Sequence, residues 1–170
     1  MPNHKGAIEH MFTIDLEAAY HHVDMGPASW PYLGFQWQGT YYVFRVLPFG
    51  LASACYVFTK ITHTLVQRWR GKGVRLIHYL DYFCGAARPD ADGGTRLFRT
   101  TQQLMLNDLT NAGFSTQPTK LRLDPSYQRE FLGFLLYTQH GLIRASSKRR
   151  LAIAESVAAI LARRHQCPTR

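Results

Sequence analysis

Two aspartates lie in apolar, strand-like runs of the sequence, and their side chains are candidates for metal-assisted chemistry. Asp15 follows the apolar residues 11–14, and Asp81 follows residues 76–80. Asp81 is also the only acidic side chain in the stretch 25–89. An ionised carboxylate among apolar residues is costly to desolvate unless a cation, a metal or hydrogen-bond donors compensate. Two such strands side by side could hold a divalent metal, although a lone Asp at a strand end, as Asp15 is by itself, is usually a helix cap or a turn residue.

A Pro/Gly turn precedes a long helical pattern in the chain. It reads Leu47-Pro48-Phe49-Gly50, and apolar residues then recur at helical spacing as far as Trp69. The first N–H groups of a helix bind phosphate well, because they lack partners within the helix. The same turn is also an ordinary way to start a helix, so phosphate binding and simple helix initiation both remain open for this segment.

The periodicity of apolar residues predicts the elements that must position these groups. Their order predicts an α+β fold with a largely antiparallel sheet and helices packed on one face. About half of the aromatic side chains around the first hairpin are expected to pack in the core, and the others could stack on bases. The predicted elements are a strand at about 10–16, a hairpin at 33–44 turning at Gly39, a helix at 50–69, a strand pair at 74–86 with Asp81 in or beside the turn, a helix at 92–111, a hairpin from strands 130–136 and 141–145 turning at His140-Gly141, and an amphipathic helix at 147–164.

Composition narrows the classes of partner. The chain has 170 residues, 46% of them hydrophobic, which suits one globular domain. A net charge of +9 favours a nucleic-acid partner, although a soluble protein can simply be basic. No apolar run approaches the roughly 18 residues of a membrane-spanning helix, so no membrane partner is predicted. The three cysteines show no zinc or disulfide spacing, and an intracellular location, in cytoplasm or nucleus, is expected.

Five motifs in order resemble those of reverse transcriptases. The resemblance spans about residues 10–160. The motif sequences are most similar to those of retrotransposons of the tyrosine-recombinase class, with long-terminal-repeat elements next. It implies a polymerase palm at 10–146, after a frayed N-terminus at 1–9 and before the start of a thumb or connection helix and a basic tail at 147–170. The motifs are the segment from Asp15 to Tyr20, Leu-Pro-Phe-Gly-Leu-Ala-Ser-Ala at 47–54, Tyr79-Leu80-Asp81-Tyr82, the segment 113–120, and Phe131-Leu132-Gly133-Phe134.

The resemblance also implies a role for individual residues. Asp15 and Asp81 would be ligands of two catalytic Mg²⁺ ions, which activate the primer 3′-hydroxyl and stabilise the leaving pyrophosphate. The implied partners are an RNA or DNA template-primer and deoxynucleoside triphosphates, with other polypeptide segments of a retroelement. The implied nucleotide-binding residues are Leu16 through its backbone, Tyr20 beneath the sugar, Phe49 and Gly50 lining the pocket, and Lys120 near the leaving phosphate, where a plain surface lysine is the other interpretation.

Two departures from the family pattern shape the functional prediction. Tyr82 stands where a further aspartate is expected, and a neutral phenol is a poor ligand for a hard cation. Cys55 replaces the usual proline after Ser-Ala, and the strands that normally precede the first motif are expected to be missing. The sequence therefore predicts a truncated reverse transcriptase domain of retroelement origin with impaired DNA synthesis. The alternatives are a non-catalytic remnant that binds nucleic acid and an inert relic.

Overall fold

The fold is an α+β arrangement in a computed structural model that describes residues 8–162. Most of the predicted frayed N-terminus and the end of the predicted basic tail lie outside the described residues. The predicted fold class, antiparallel sheets with helices, is confirmed. The elements are β1 His10–Asp15, β2 Gly34–Trp37, β3 Thr40–Val43, α1 Ala54–Gly71, β4 Arg75–Tyr79, β5 Tyr82–Ala87, α2 Arg96–Asn111, β6 Arg122–Ser126, β7 Gln128–Phe131, β8 Phe134–Tyr137, β9 Leu142–Ala145 and α3 Ser147–Ala162.

The central sheet has the strand order β4-β5-β1-β6, and α1 and α2 pack on one of its faces. Side chains alternate between the two faces of a strand, so Phe12 and Ile14 of β1 point towards the helices and are fully buried. Gly85 pairs with Phe12 across β5 and β1, and a Cβ there would lie 2.3 Å from the Phe12 Cζ. The core between sheet and helices also contains Phe58, Trp69, Phe83, Phe98 and Met105.

The opposite face of the central sheet is covered by a second, three-stranded sheet in the order β7-β8-β9. Phe131 of β7 packs with Met11 and Cys84 in a small separate cluster. The Arg129 Nε donates a hydrogen bond to the Met11 carbonyl oxygen across 3.1 Å. The Thr138 hydroxyl donates to the Glu9 carbonyl oxygen across 2.6 Å. Both helices therefore lie on one face, as predicted, and the other face receives strands.

Several element boundaries differ from the sequence-based predictions. The segment 130–136 was expected to be one strand, but it folds into β7 and β8 around a tight turn. Leu132 and Gly133 in that turn both have positive φ, at 51° and 76°. Helix α1 begins at Ala54 rather than at Gly50, whose φ of 85° is not helical. Strand β6, with Pro125 near its end, was not predicted at all.

The first hairpin forms as predicted, but the expectation that half of its aromatic side chains are buried was wrong. Trp37 and Tyr41 are 63% and 80% exposed, and Phe35 and Tyr42 are also exposed. In the described part of the chain β2 pairs only with β3, and the residues of both strands are exposed.

Helix α3 forms where an amphipathic helix was predicted. Its apolar side chains, among them Leu151, Val157 and Ile160, are exposed. The described residues 147–162 of this helix therefore contribute no buried side chain to the core. Within residues 8–162, no helix has the length and apolar character needed to cross a membrane.

Candidate functional site

The antiparallel pairing of β1 and β5 brings Asp15 and Asp81 to the same end of the central sheet. Asp15 is the last residue of β1, and Asp81 lies in the short turn between β4 and β5. The Leu16 amide donates a hydrogen bond to the Asp81 carbonyl oxygen across 3.0 Å. In the same turn, Leu80 has a φ of 52°, a conformation that bulky side chains rarely adopt. The two aspartates are therefore neighbours, one at a strand end and one in a turn.

The electrostatic surroundings of Asp81 disfavour its charged form. Burial is the main reason that the pKa of the Asp81 carboxyl lies above its ordinary value. The negative charge of Asp15 raises this pKa further, whereas a hydrogen bond from the backbone of Asp81 and the positive charge of Lys120 lower it. Two carboxylates that repel each other in this way gain from a shared cation.

Lys120 already supplies one positive charge at this place. Its Nζ lies 3.2 Å and 3.3 Å from the two carboxylate oxygens of Asp15. The backbone supports this position, because the Gln117 amide donates to the Asp15 carbonyl oxygen and the Lys120 amide donates to the Gln117 carbonyl oxygen. The Lys120 side chain is 62% exposed, so solvent weakens the ion pair and leaves the ammonium group free to move to an anionic ligand.

The residues predicted to bind the nucleotide are only partly available. Tyr20 is buried, and its ring packs 4.9 Å from the exposed ring of Phe49, next to Gly50. The Tyr20 hydroxyl lies within hydrogen-bond distance of the Cys55 Sγ, at 3.0 Å. This hydrogen bond is the main reason that the pKa of Tyr20 is raised to about 12, and burial raises it further. The Leu16 side chain is buried and its amide is engaged by Asp81. These roles in nucleotide binding stay predictions.

Tyr82 is directly opposite Asp15 in the pairing of β5 with β1. Its hydroxyl donates a hydrogen bond to the Glu130 carbonyl oxygen across 3.1 Å. Its ring stacks on Phe131, with 4.8 Å between ring centroids and an angle of 21° between planes. Burial raises the pKa of Tyr82 above its ordinary value, so the phenol is protonated and neutral at pH 7.

A cavity of about 600 Å³ opens beside Asp15 and Tyr82. Of the residues predicted from sequence to form the site, Asp15 and Lys120 line it. Apart from Thr13 and Tyr82, the other lining residues come from the segment 122–133, where neither β6 nor the β7–β8 turn was predicted. They include Arg122, Ser126, Gln128, Arg129, Glu130, Leu132 and Gly133.

The donor set fits one divalent cation and does not fit two. In the stretch 8–162, no group of three or more His, Cys, Asp or Glu side chains is placed to hold a metal. Asp15 and Asp81 could hold one ion, since Mg²⁺ is commonly bound by one or two carboxylates together with water and phosphate oxygens. A second ion lacks a carboxylate, because the Tyr82 hydroxyl points to the Glu130 carbonyl and carries no charge.

Comparison with protein-family models gives a match over residues 1–136. The matching model is described as reverse transcriptase (RNA-dependent DNA polymerase). Among the curated proteins, no sequence matches this chain significantly.

Solved structures of foamy viral protease-reverse transcriptase have the same fold. The complex with double-stranded DNA gives a TM-score of 0.74 at 21% identity, over 90% of this chain and 31% of that chain. The complex with an RNA/DNA hybrid gives 0.70 at 22% identity, over 90% of this chain and 20% of that one. This chain therefore spans about a third or less of the length of those solved chains, and the likeness concerns the fold alone.

Proposed function

Since the chain belongs to the reverse transcriptase family, we propose that it is a nucleic-acid-binding reverse transcriptase domain of retroelement origin whose template-directed DNA synthesis is impaired. One observation carries the proposal. Tyr82 is paired directly with Asp15, and its hydroxyl donates to the Glu130 carbonyl oxygen, at a position where the resemblance to the family implies a carboxylate. The chain thus keeps two of the acidic groups for phosphoryl transfer and has a neutral residue in place of the third.

A template-primer of RNA or DNA is the proposed partner. The solved foamy viral proteins carry double-stranded DNA or an RNA/DNA hybrid, and the net charge of this chain is +9. The cavity beside Asp15 is lined by Lys120 and Arg122, whose positive charges suit phosphate groups. We expect a strand end to lie in this cavity, with its backbone near these two side chains.

The remaining chemistry rests on Asp15, Asp81 and Lys120. One Mg²⁺ held by the two carboxylates would supply Lewis-acid stabilisation of a transferring phosphoryl group. Lys120 would leave Asp15 and neutralise charge on the phosphates of a bound deoxynucleoside triphosphate. We expect DNA synthesis without the third carboxylate to be at least about 100-fold slower than with it. Removal of a residue that only supports a metal ligand already slows a metalloenzyme by up to about 100-fold.

Primer extension with Mg²⁺ or Mn²⁺ tests the proposal. We expect little product from the unmodified chain and a partial gain from Tyr82→Asp, which supplies a carboxylate but removes the contact with Glu130. The matched control combines Tyr82→Asp with Asp15→Asn and should lose that gain. Rapid, processive synthesis by the unmodified chain would show that the proposed impairment is wrong.

A second candidate function, binding of nucleic acid without catalysis, is favoured by the ion pair between Lys120 and Asp15. The Lys120 ammonium group compensates the charge of the Asp15 carboxylate directly. Binding of labelled single-stranded RNA should then persist with a chelator present and weaken steeply as salt rises, because phosphate contacts release counterions. Lys120→Ala should reduce that salt dependence, with Lys148→Ala on the exposed start of α3 as the matched control. Absence of binding at low salt would contradict this function and favour the alternative that the domain is an inert relic.

A further inference from the structure

The hairpin β7–β8 lies along β1, with its two ends held by different contacts. At its base, the Tyr127 ring stacks on His10 with 4.4 Å between centroids, and Thr138 donates to the Glu9 carbonyl oxygen. At its tip, which we define as residues 131–134, Phe131 stacks on Tyr82. The base therefore attaches to the start of β1, and the tip lies near Asp15 at the end of β1.

The position of the tip affects two other parts of the molecule. Leu132 and Gly133 line the cavity that contains Asp15. The Arg149 Nη1 donates a hydrogen bond to the Leu132 carbonyl oxygen across 2.7 Å, and its guanidinium lies 4.4 Å from the centre of the Phe134 ring. The Ser146 amide donates to the Gly133 carbonyl oxygen. A displaced tip would therefore change both the shape of the cavity and the direction in which α3 begins.

We infer that Tyr82 is a positioning residue that fastens the hairpin tip over the carboxylate end of the central sheet. It does so through two contacts that a carboxylate could not make. Its hydroxyl donates to the Glu130 carbonyl oxygen, and its ring stacks on Phe131. An aspartate at this position would have no proton to donate at neutral pH and would place its charge opposite Asp15.

The other hydrogen bonds between the central sheet and the hairpin lie farther from the turn than the one from Tyr82. Arg129 donates to the Met11 carbonyl oxygen and pairs with Asp124, which fixes the middle of β7 to β1 and to β6. Phe131, the first residue of the tip, also packs with Met11 and Cys84, but this apolar contact includes no hydrogen bond. Among the described contacts from the central sheet, Tyr82 supplies the hydrogen bond closest to the turn. Its replacement should therefore loosen the tip and leave the base in place.

Hydrogen exchange of the unliganded full chain, followed by mass spectrometry, tests the inference. Peptides covering 130–135 report on the tip, and peptides covering 127–129 and 136–138 report on the base. We expect Tyr82→Phe, which keeps the ring and loses the hydroxyl, to speed exchange at the tip about five-fold, as expected for one lost hydrogen bond. Tyr82→Asp should have a larger effect at the tip. The matched control is Tyr79→Phe, on the exposed residue that pairs with Tyr82 in β4.

A tip-only increase in either variant supports the fastening, because a general loss of stability would speed exchange at tip and base alike. An unchanged tip in both variants, or an equal increase at tip and base, would overturn it. If Tyr82→Asp does not fold, Tyr82→Phe decides the outcome. The measurement uses neither metal nor nucleic acid, so its result is independent of whether the chain synthesises DNA.

Discussion

The two faces of the central sheet are built from alternate residues of the same strands and differ in burial and polarity at the end that contains Asp15. On the helix face, Phe12 and Ile14 are fully buried among aromatic side chains. On the other face, Asp15 and Tyr82 line an open, polar cavity with Lys120. Because side chains alternate along a strand, the chain can change the second face without disturbing the first. Tyr82, which we propose stands in place of a family carboxylate, lies on the face outside the main core between sheet and helices.

Two aspartates show the same difference in electrostatic terms. Asp108, between the helices, accepts hydrogen bonds from the Arg68 Nε at 2.9 Å and from the Trp69 Nε1 at 3.0 Å. The bond from Arg68 is the main cause that holds the pKa of Asp108 below its ordinary value. Burial instead holds the pKa of Asp81 above its ordinary value. At Asp108 the hydrogen-bond donors thus outweigh burial, whereas at Asp81 burial outweighs the compensation from the backbone and Lys120.

The largest expected effect comes from the helix face. Phe12→Ala should lower the free energy of unfolding by about 3–5 kcal/mol, because it leaves a cavity in a fully buried aromatic cluster. The matched control is Ile77→Ala on the edge strand β4, where the side chain is 47% exposed and the loss should be under about 1 kcal/mol. Urea unfolding measures both. Equal losses for the two variants would break the comparison between a packed face and an open one.

An intermediate effect is expected for Asp108→Ala. The buried Trp69 N–H loses its acceptor, which should lower the free energy of unfolding by about 1–3 kcal/mol at pH 7. Since the folded pKa of Asp108 is depressed, its ionic contribution is present above the unfolded pKa and is lost as pH falls through the folded pKa. The difference from the unmodified chain should therefore shrink on acidification below about pH 4.

Asp108→Asn provides the matched control for that pH dependence. It keeps an oxygen acceptor for Trp69 and removes the charge, so it should destabilise less than Asp108→Ala at pH 7. A penalty for Asp108→Ala that stays constant down to pH 2 would contradict the ionic contribution.

The smallest effect, and one of opposite sign, is expected for Asp81→Asn. The folded pKa of Asp81 is raised, so its contribution to stability is most favourable below the unfolded pKa and is lost as pH rises through the folded pKa. Asparagine removes this penalty, and Tm at pH 7 should rise by about 1–2 °C after allowance for solvent screening of a half-buried charge. Calorimetric scans at pH 7 and near pH 4 measure the change. A fall in Tm at pH 7 would show that Asp81 is compensated as well as Asp108.

Local patterns in the sequence predicted the helix layer and the two acidic positions well. The apolar spacing up to Trp69 predicted most of α1, and the apolar run before Asp15 predicted β1. Strand β6 was missed because Pro125 argues against a strand, and the structure places β6 at a sheet edge, where proline is tolerated. The β7–β8 turn was missed because Leu132 is an unusual residue for positive φ.

The contacts of Tyr82 could not be predicted from the sequence. The motif alone predicted that a carboxylate is missing, but the acceptor of the Tyr82 hydroxyl, the Glu130 carbonyl oxygen, lies far along the chain. It reaches Tyr82 through the docking of one sheet on another. Such docking depends on shape and long-range pairing, which leave no regular spacing in the sequence. The unpredicted lining of the cavity beside Asp15 has the same origin.

The close approach between Gly85 and the Phe12 ring has a consequence for mutational tolerance. With only 2.3 Å available for a Cβ, the two positions cannot change independently, because any larger residue at position 85 needs the space that the ring fills. In a library randomised at both positions and selected for folded protein, glycine should persist at 85 wherever 12 is aromatic. Larger residues at position 85 should be recovered only together with small residues at position 12. Such covariation would be a direct result of the close packing between Gly85 and Phe12 on the helix face.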